Sequence, residues 1–181
     1  MPLSGYYRFP AIHSDSVVFV SEDDIWSVAA AGGVARRLTA NLGTISNPYF
    51  SPDGNTLVFT GRDEGHNEIY TMPANGGPAR RLTYLGVNCA TLGWTPDGSK
   101  ILFCTDSGRP RDRDNFVHSI GVDGGLPEPW PVGPALSISV AEGAGPMSST
   151  GLMERRVLSS SRASGIGMVG VAPSFASLGC A

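Results

Sequence analysis

The sequence predicts an all-β protein assembled from a unit that repeats every 44 residues. The turn Ser51-Pro52-Asp53-Gly54 recurs as Thr95-Pro96-Asp97-Gly98, and the apolar run Leu57–Thr60 recurs as Ile101–Cys104 at the same offset. Short apolar runs that are bounded by Gly- and Pro-rich turns are typical of β-strands.

A second repeated stretch shows the same spacing. Gly32–Thr39, which begins Gly-Gly and ends Arg-Arg-Leu-Thr, recurs as Gly76–Thr83. A fixed period in the forties, with several short strands in each period, is typical of β-propeller blades. We therefore expect a partial β-propeller of about three four-stranded blades, followed by a poorly ordered C-terminal tail.

The first unit, at about residues 5–43, contains the segments expected of four strands. Tyr6–Ile12 opens it, and the continuous apolar run Val17–Val20 predicts a strand that is buried on both faces. Ile25–Val28 alternates apolar and polar residues, which predicts a half-buried strand, and Ala35–Thr39 supplies the outer strand.

The second unit, at about residues 44–86, has the clearest turn. Pro52 presets the backbone for a tight turn, Asp53 tolerates the next position, and Gly54 accepts the left-handed conformation that follows. The alternating segment Glu68–Met72 predicts another half-buried strand.

The third unit, at about residues 87–133, keeps the Pro-Asp-Gly turn but changes elsewhere. Its middle loop is longer by four residues and contains the charged stretch Arg109–Asp114. The Arg-Arg-Leu-Thr ending is replaced by Pro127–Pro131. Residues 1–133 are thus predicted to form three blades.

Residues 134–181 are predicted to be an incomplete fourth blade and a tail. From Ala141 onwards there is no Pro-Asp-Gly turn, the sole aromatic residue is Phe175, and serine becomes abundant. Such a change of composition is expected of a disordered tail or of a shifted reading frame.

Composition excludes several classes of function. A net charge of −3 argues against nucleic-acid binding. The three cysteines, Cys89, Cys104 and Cys180, have neither disulfide-framework nor zinc-site spacing, and reduced thiols favour the cytoplasm. The N-terminus lacks the apolar core of a secretory signal, and the apolar runs are too short to cross a membrane.

Three segments carry a resemblance to a known family. Gly5–Ile12, Val18–Trp26 and Phe59–Tyr70 closely resemble tricorn protease homologues, and the similarity extends over about residues 5–133. The resemblance implies the N-terminal propeller portion of a large cytosolic serine protease that trims peptides and assembles as a hexamer. It also implies that the propeller gates peptides or assists assembly, while the catalytic Ser and His lie beyond Ala181. This chain alone is therefore expected to be inactive, to bind peptides and to self-associate through its blades.

The Pro-Asp-Gly unit also occurs in two other propeller classes, which remain alternatives. One is a TolB-like, non-enzymatic, protein-binding propeller, which would be expected with a signal peptide and a preceding small domain. The other is the propeller of an oligopeptidase, which would require a downstream hydrolase domain.

No catalytic, cofactor-binding or metal-binding residue is predicted. The densest group of possible metal ligands is Asp63, Glu64, His66 and Glu68, and we interpret it as a solvated loop between two strands. His13, Ser14 and Asp15 are the residue types of a hydrolytic triad, but neighbours in one turn do not readily adopt the triad geometry.

The other conspicuous side chains have structural interpretations. Asp53 and Asp97 are predicted turn formers; Trp26, Tyr70 and Trp94 are predicted packing residues; Cys89 and Cys104 are predicted small buried hydrophobes. The pairs Arg36-Arg37 and Arg80-Arg81 could steer anionic peptide ends, but we expect them to charge an outer strand against edge pairing. The Arg109–Asp114 loop is expected to be solvated.

Overall fold

Three four-stranded antiparallel sheets form the fold, as the repeat predicts. The computed structural model describes residues 6–40, 42–107, 115–139 and 147–149. The strands are β1 Arg8–His13, β2 Ser16–Ser21, β3 Asp24–Ala29, β4 Arg36–Arg37, β5 Thr44–Phe50, β6 Thr56–Arg62, β7 Glu68–Pro73, β8 Arg80–Arg81, β9 Cys89–Trp94, β10 Lys100–Thr105, β11 Phe116–Gly121, β12 Glu128–Pro134, β13 Ser137–Ser139 and β14 Met147–Ser149.

Each sheet is a meander in which consecutive strands are neighbours. Blade 1 contains β1–β4, blade 2 contains β5–β8 and blade 3 contains β9–β12, each hydrogen-bonded in chain order. The fold class, an all-β propeller portion of about three blades, is confirmed. We call the face of a blade toward the preceding blade its front face, and the opposite face its back face.

Apolar clusters lie between successive blades. The back face of blade 1, with Val18, Val20 and Ile25, packs against the front face of blade 2, with Phe59 and Met72. A second cluster joins the back face of blade 2 to the front face of blade 3, through the residues Val58, Ile69, Leu82, Ile101, Phe103 and Ile120. Each blade is therefore stabilised mainly by burial against its neighbour.

Burial along two strands differs from the sequence-based expectation. In Val17–Val20, predicted to be buried on both faces, only Val18 and Val20 are fully buried, while Val17 and Phe19 are partly exposed. Conversely, Glu68–Met72 was expected to be half-buried, but all five residues are buried. The reason is position in the stack, because blade 2 has a neighbour on both sides and blade 1 has a described neighbour only on its back face.

The stretch 134–181 is described only at its beginning. β13 and β14 form a two-stranded antiparallel sheet, and Ala135 and Ile138 pack against the back face of blade 3. Met147–Ser149 is a strand even though the sequence from Ala141 shows no strand pattern, because backbone pairing with β13 needs no side-chain alternation. The rest of the predicted tail, Cys180 and the Arg109–Asp114 loop lie outside the described residues.

The Pro-Asp-Gly turns adopt the predicted geometry. Gly54 and Gly98 have φ values of +73° and +68°, and each donates its backbone N–H to the carbonyl three residues earlier, that of Ser51 or Thr95. The turns differ in their surroundings. A Cβ atom on Gly54 would lie 2.3 Å from the Nδ1 atom of His13 in blade 1, whereas a Cβ on Gly98 would lie 3.4 Å from the nearest atom, in Pro52.

These surroundings predict unequal effects of the same substitution. Gly54→Ala should destabilise the protein more than Gly98→Ala, because both strain the backbone but only the first collides with an imidazole ring. We expect losses of about 3 kcal/mol and about 1 kcal/mol in the free energy of unfolding, measured by urea denaturation. His13→Ala should recover part of the larger loss, and equal losses for both glycine variants would contradict the described packing.

Candidate functional site

A buried carboxylate occupies the first position of the third strand in blade 2. Glu68 is only 1% exposed. Its Oε1 atom lies 2.8 Å from Nη2 of Arg81 and accepts a hydrogen bond from the backbone N–H of Gly86. Its Oε2 atom accepts the hydroxyl of Thr83, which in turn accepts the backbone N–H of Ile69. Both carboxylate oxygens are thus satisfied, as a buried charge requires.

The charge on the partner arginine is also stabilised. Partial burial lowers the pKa of the Arg81 guanidinium, but its hydrogen bond to Glu68 and the negative charge of that carboxylate raise the pKa above its ordinary value. The guanidinium also lies over the ring of Tyr84, 4.5 Å from the ring centroid.

Blade 1 contains the same arrangement. Asp24 Oδ2 lies 2.8 Å from Arg37 Nη2, and Asp24 Oδ1 accepts the Thr39 hydroxyl at 2.8 Å. The Thr39 oxygen accepts the backbone N–H of Ile25, as Thr83 does for Ile69 in blade 2. The acid precedes its arginine by 13 residues and its threonine by 15 in both blades.

Blade 3 has lost all three members of this network together. The residues at the matching positions are Phe116, Pro129 and Pro131, none of which is charged. A joint replacement is consistent with a unit whose members depend on one another, because removing one partner would leave a buried charge unpaired. The network joins the third and fourth strands of a blade, so its role in blades 1 and 2 is structural.

The four possible metal ligands of the β6–β7 region do not lie in one environment. Asp63, Glu64 and His66 are exposed on the loop between β6 and β7, while Glu68 points inward and is occupied by Arg81. Among the residues that the structure describes, no three His, Cys, Asp or Glu side chains are placed to share a metal ion. Sequence inspection overlooked the burial of Glu68, although its fixed distances to Arg81 and Thr83 repeat in blade 1.

The other two arginines connect neighbouring blades. Arg36 donates from Nη2 to the carbonyl of Asn75 at 2.7 Å, and Arg80 donates from Nη2 to the carbonyl of Asp123 at 2.5 Å. Both acceptors lie in the Gly-Gly hairpin of the following blade. These arginines lie exposed on the outermost strands, where they were expected to charge the edge, and each also uses its guanidinium to hold the next blade. In blade 3 the matching residue is Glu128, which pairs with Lys100 of its own blade.

The His13-Ser14-Asp15 turn contributes an inter-blade contact and no triad geometry. His13 Nε2 lies 3.1 Å from the carbonyl oxygen of Pro52 in blade 2. Because a carbonyl oxygen can only accept, this nitrogen carries the proton and donates the hydrogen bond. Ser14 Oγ is 3.5 Å from His13 Nδ1, which is long for a hydrogen bond between a nucleophile and its base. The ring also packs against Phe50.

The remaining predicted packing residues are placed as expected. Burial raises the pKa of the Cys89 thiol to about 12 and also raises the pKa of Cys104, so both thiols are protonated and unreactive at neutral pH. Tyr70 stacks on Phe59 with the ring centroids 5.8 Å apart. Trp94 donates its indole N–H to the carbonyl of Tyr49 in blade 2.

A cleft that sequence inspection did not anticipate lies between blades 2 and 3. Its volume is about 460 Å³, and its polar walls come from the two Pro-Asp-Gly turns and the Gly-Gly hairpin of blade 3. Asp53, Asp97 and Asp123 line it together with the indole of Trp94. The repeated Pro-Asp-Gly turn was the only sequence feature that could have pointed to the cleft. The sequence does not show which turns face each other, because that depends on how the blades stack.

The carboxylates of the two turns remain ionised. Hydrogen bonds from the Ser51 hydroxyl and from Asn55 lower the pKa of Asp53 to about 2. The Thr95 hydroxyl and Ser99 lower the pKa of Asp97 to about 2 in the same way. The cleft therefore presents fixed negative charge beside an aromatic ring, which suits a cationic or amino group of a ligand.

The acid–arginine networks of blades 1 and 2 differ in burial and therefore predict unequal costs for loss of the arginine. Arg81→Met should lower the free energy of unfolding by about 3 kcal/mol, because it leaves the fully buried Glu68 unpaired. Arg37→Met should cost about 1 kcal/mol, because Asp24 and Arg37 are 14% and 47% exposed and water can replace the partner. Urea denaturation measures both, and adding Glu68→Gln to Arg81→Met should restore part of the loss. Equal costs at the two sites would contradict the difference in burial.

The lowered pKa values of the turn carboxylates predict that the turns contribute to stability in a pH-dependent manner. The pKa of Asp97 in the folded chain is below its ordinary value of 3.8, so the ionised carboxylate stabilises the fold above that pH. This contribution should disappear as the pH falls from 3.8 towards 2. The melting temperature of Asp97→Ala should therefore lie below that of the unaltered chain at pH 7, and the gap should narrow in acid. A gap of constant size down to pH 2 would argue against an ionised turn carboxylate.

Within the residues that the structure describes, no helix is long and apolar enough to cross a membrane.

Comparison with known proteins identifies the family. The family described as "Tricorn protease N-terminal beta propeller domain" matches residues 4–154. Tricorn protease homolog 1 of Streptomyces coelicolor is 36% identical over 135 residues, which cover 75% of this chain and 13% of the homologue. The tricorn protease of Thermoplasma acidophilum is 41% identical over 49 residues, or 27% of this chain and 5% of that protein.

Solved structures agree with this assignment. The crystal structure of the tricorn protease superposes with a TM-score of 0.69 and 28% identity, covering 77% of this chain and 14% of that one. The putative TolB of Agrobacterium tumefaciens superposes with a TM-score of 0.58 and 26% identity, covering 70% and 49%. The chain thus spans only about one-seventh of the tricorn proteins that it matches over most of its length. With three blades, a family match over most of its length and a 36%-identical homologue, the chain belongs to the tricorn protease N-terminal β-propeller family.

Proposed function

We propose that this chain serves as the non-catalytic propeller portion of a tricorn-like serine protease in the cytoplasm, where it gates peptides or assists assembly. The observation that carries this proposal is the family match over residues 4–154. The relatives that are named as proteases are about seven times as long as this chain. We therefore assign proteolysis to the longer protein and only the propeller role to this chain.

The described histidines and cysteines support a non-catalytic role. His13 is bonded to the Pro52 carbonyl, and His118 lies against Phe103 with Nδ1 3.2 Å from the Phe116 carbonyl oxygen. His66 lies on an exposed loop. The thiols of Cys89 and Cys104 are buried and protonated. Such groups are poorly suited to general-base or nucleophilic catalysis.

The cleft between blades 2 and 3 supports contact with peptides. Its carboxylates attract the amino terminus and the Lys or Arg side chains of a peptide, and Trp94 offers an apolar and cation-attracting surface. Three charges on a concave surface suit weak, reversible capture, which is what a gating surface needs. Val17, Phe19 and Val28 of blade 1, which are apolar and partly exposed, further support self-association through blades.

The alternative function is that of a TolB-like, non-enzymatic, protein-binding propeller. The similarity to the putative TolB of Agrobacterium tumefaciens favours it, at 26% identity over 70% of this chain. The two functions differ in the expected ligand, which is an extended peptide for the first and a folded protein surface for the second.

Peptide binding by the purified chain tests the proposal. Fluorescence anisotropy should show a fluorescein-labelled cationic decapeptide binding in a salt-sensitive manner, and an acidic decapeptide binding at least threefold more weakly. Asp123→Asn should weaken binding of the cationic peptide about threefold, because it removes one charge from the cleft. Asp63→Asn is the control, because it removes the same charge from the loop between β6 and β7, which lies outside the cleft. It should leave the affinity for the cationic peptide unchanged.

Two outcomes would overturn the proposal. Failure of every labelled peptide to bind at millimolar concentration would exclude peptide gating and favour the TolB-like alternative. Mass spectrometry should also find the peptides intact after incubation. Cleavage that copurifies with the chain would contradict a non-catalytic role.

A further inference from the structure

The hairpin between β7 and β8 carries the one Asn-Gly dipeptide of the sequence, Asn75-Gly76. Asn75 is exposed, and Gly76 has a φ of +95°. An asparagine that precedes glycine is prone to lose its side-chain amide, because glycine has no side chain to hinder attack by its own backbone nitrogen. That nitrogen donates to the carbonyl of Pro73 at 3.0 Å, a bond that fluctuations of an exposed hairpin can open.

An arginine of the preceding blade binds the same peptide group. Arg36, exposed on β4, donates from Nη2 to the carbonyl oxygen of Asn75 at 2.7 Å. Deamidation starts when the N–H of Gly76 loses its proton, and the resulting negative charge is shared between that nitrogen and the carbonyl oxygen of Asn75. A charge-assisted hydrogen bond to the oxygen stabilises the negative charge and so makes the N–H more acidic. Arg36 is therefore placed to accelerate the first step.

We propose that Asn75 is a site of non-enzymatic deamidation in the folded chain, and that Arg36 promotes the reaction and directs it towards isoaspartate. The nitrogen of Gly76 gives its proton to solvent and bonds to Cγ of Asn75. The bond from Cγ to Nδ2 breaks, Nδ2 takes a proton from solvent, and ammonia leaves a succinimide ring.

Water then opens the ring at one of its two carbonyl carbons. Addition at Cγ breaks the new bond to nitrogen and leaves an ordinary aspartate. Addition at the main-chain carbonyl, which Arg36 polarises, breaks the original peptide bond and leaves isoaspartate, with its free carboxylate beside the guanidinium. Water is the one co-reactant, and no step is an oxidation or a reduction.

The repeat shows that the hairpin accommodates a carboxylate at this position. The matching residue in blade 3 is Asp123, whose carbonyl accepts Nη2 of Arg80 at 2.5 Å. Gly124 follows it with a φ of +91° and donates to a carbonyl three residues earlier, as Gly76 does. In blade 1 the matching residue is Ala31, which has no amide to lose. We therefore expect the aspartate product at position 75 to leave the hairpin folded.

Peptide mapping by liquid chromatography and mass spectrometry, during incubation of the full chain at pH 7.4 and 37 °C, tests the inference. Conversion of Asn75 should rise with time. Asn55, also exposed in a turn but followed by a bulky threonine, should react about tenfold more slowly or less. Arg36→Met should slow the reaction of Asn75 about threefold and lower the share of isoaspartate, because it removes the cation.

Two controls separate the contact from general effects on the fold. Arg80→Met removes the equivalent arginine from the next hairpin and should leave the rate and the product ratio at Asn75 unchanged. In 8 M urea, where the contact between blades is absent, Arg36→Met and the unaltered chain should react at equal rates. Circular dichroism should show that both variants remain folded in buffer, since each substitution lies on an exposed strand.

Distinct outcomes would overturn each part of the inference. If Asn75 stays intact in buffer while it reacts in urea, the folded hairpin is not a modification site. If Arg36→Met reacts as fast as the unaltered chain or faster, with the same product ratio, Arg36 has no part in the chemistry. Slowing of the same size in urea would also contradict a role for the folded contact. None of these results depends on peptide binding, which is measured separately.

Discussion

Back-to-front packing of apolar sheet faces is the interaction on which the rest of this structure depends. Each blade is a four-stranded sheet with apolar residues on both faces, so it cannot bury them alone. Val18 and Val20 of blade 1 cover Phe59 of blade 2, whose own back face covers Phe103 of blade 3. The apolar run of the second strand is thus buried in blades 2 and 3 and partly exposed in blade 1.

Polar side chains also connect each blade to the next one. Arg36 and Arg80 each reach a backbone carbonyl of the next blade, and His13 reaches the turn of blade 2. Within blades 1 and 2, an acid, an arginine and a threonine hold the outermost strand to its neighbour. Blade 3 lacks both the network and the inter-blade arginine.

The fold could be predicted almost completely from the sequence, whereas the site could not. The 44-residue repeat and the Pro-Asp-Gly turns are local patterns, and they determined the three sheets and the conformation of Gly54. Burial of Glu68 depends on partners 13 and 15 residues away, on a neighbouring strand, so a local reading placed it in a solvated loop. The cleft around Trp94 depends on which turns two blades bring together, and this is a property of stacking rather than of any one segment.

Amide hydrogen exchange, measured strand by strand in a dilute solution of the chain, tests the stacking account most directly. If burial by neighbours determines local stability, the amides of β6 and β7, in the blade that is covered on both faces, should exchange most slowly. Those of β2 and β3, whose blade has a described neighbour only on its back face, should exchange at least tenfold faster despite equivalent hydrogen bonding within the sheet. Equal protection of the two blades would contradict the account, because it would mean that each sheet is stable without its neighbours.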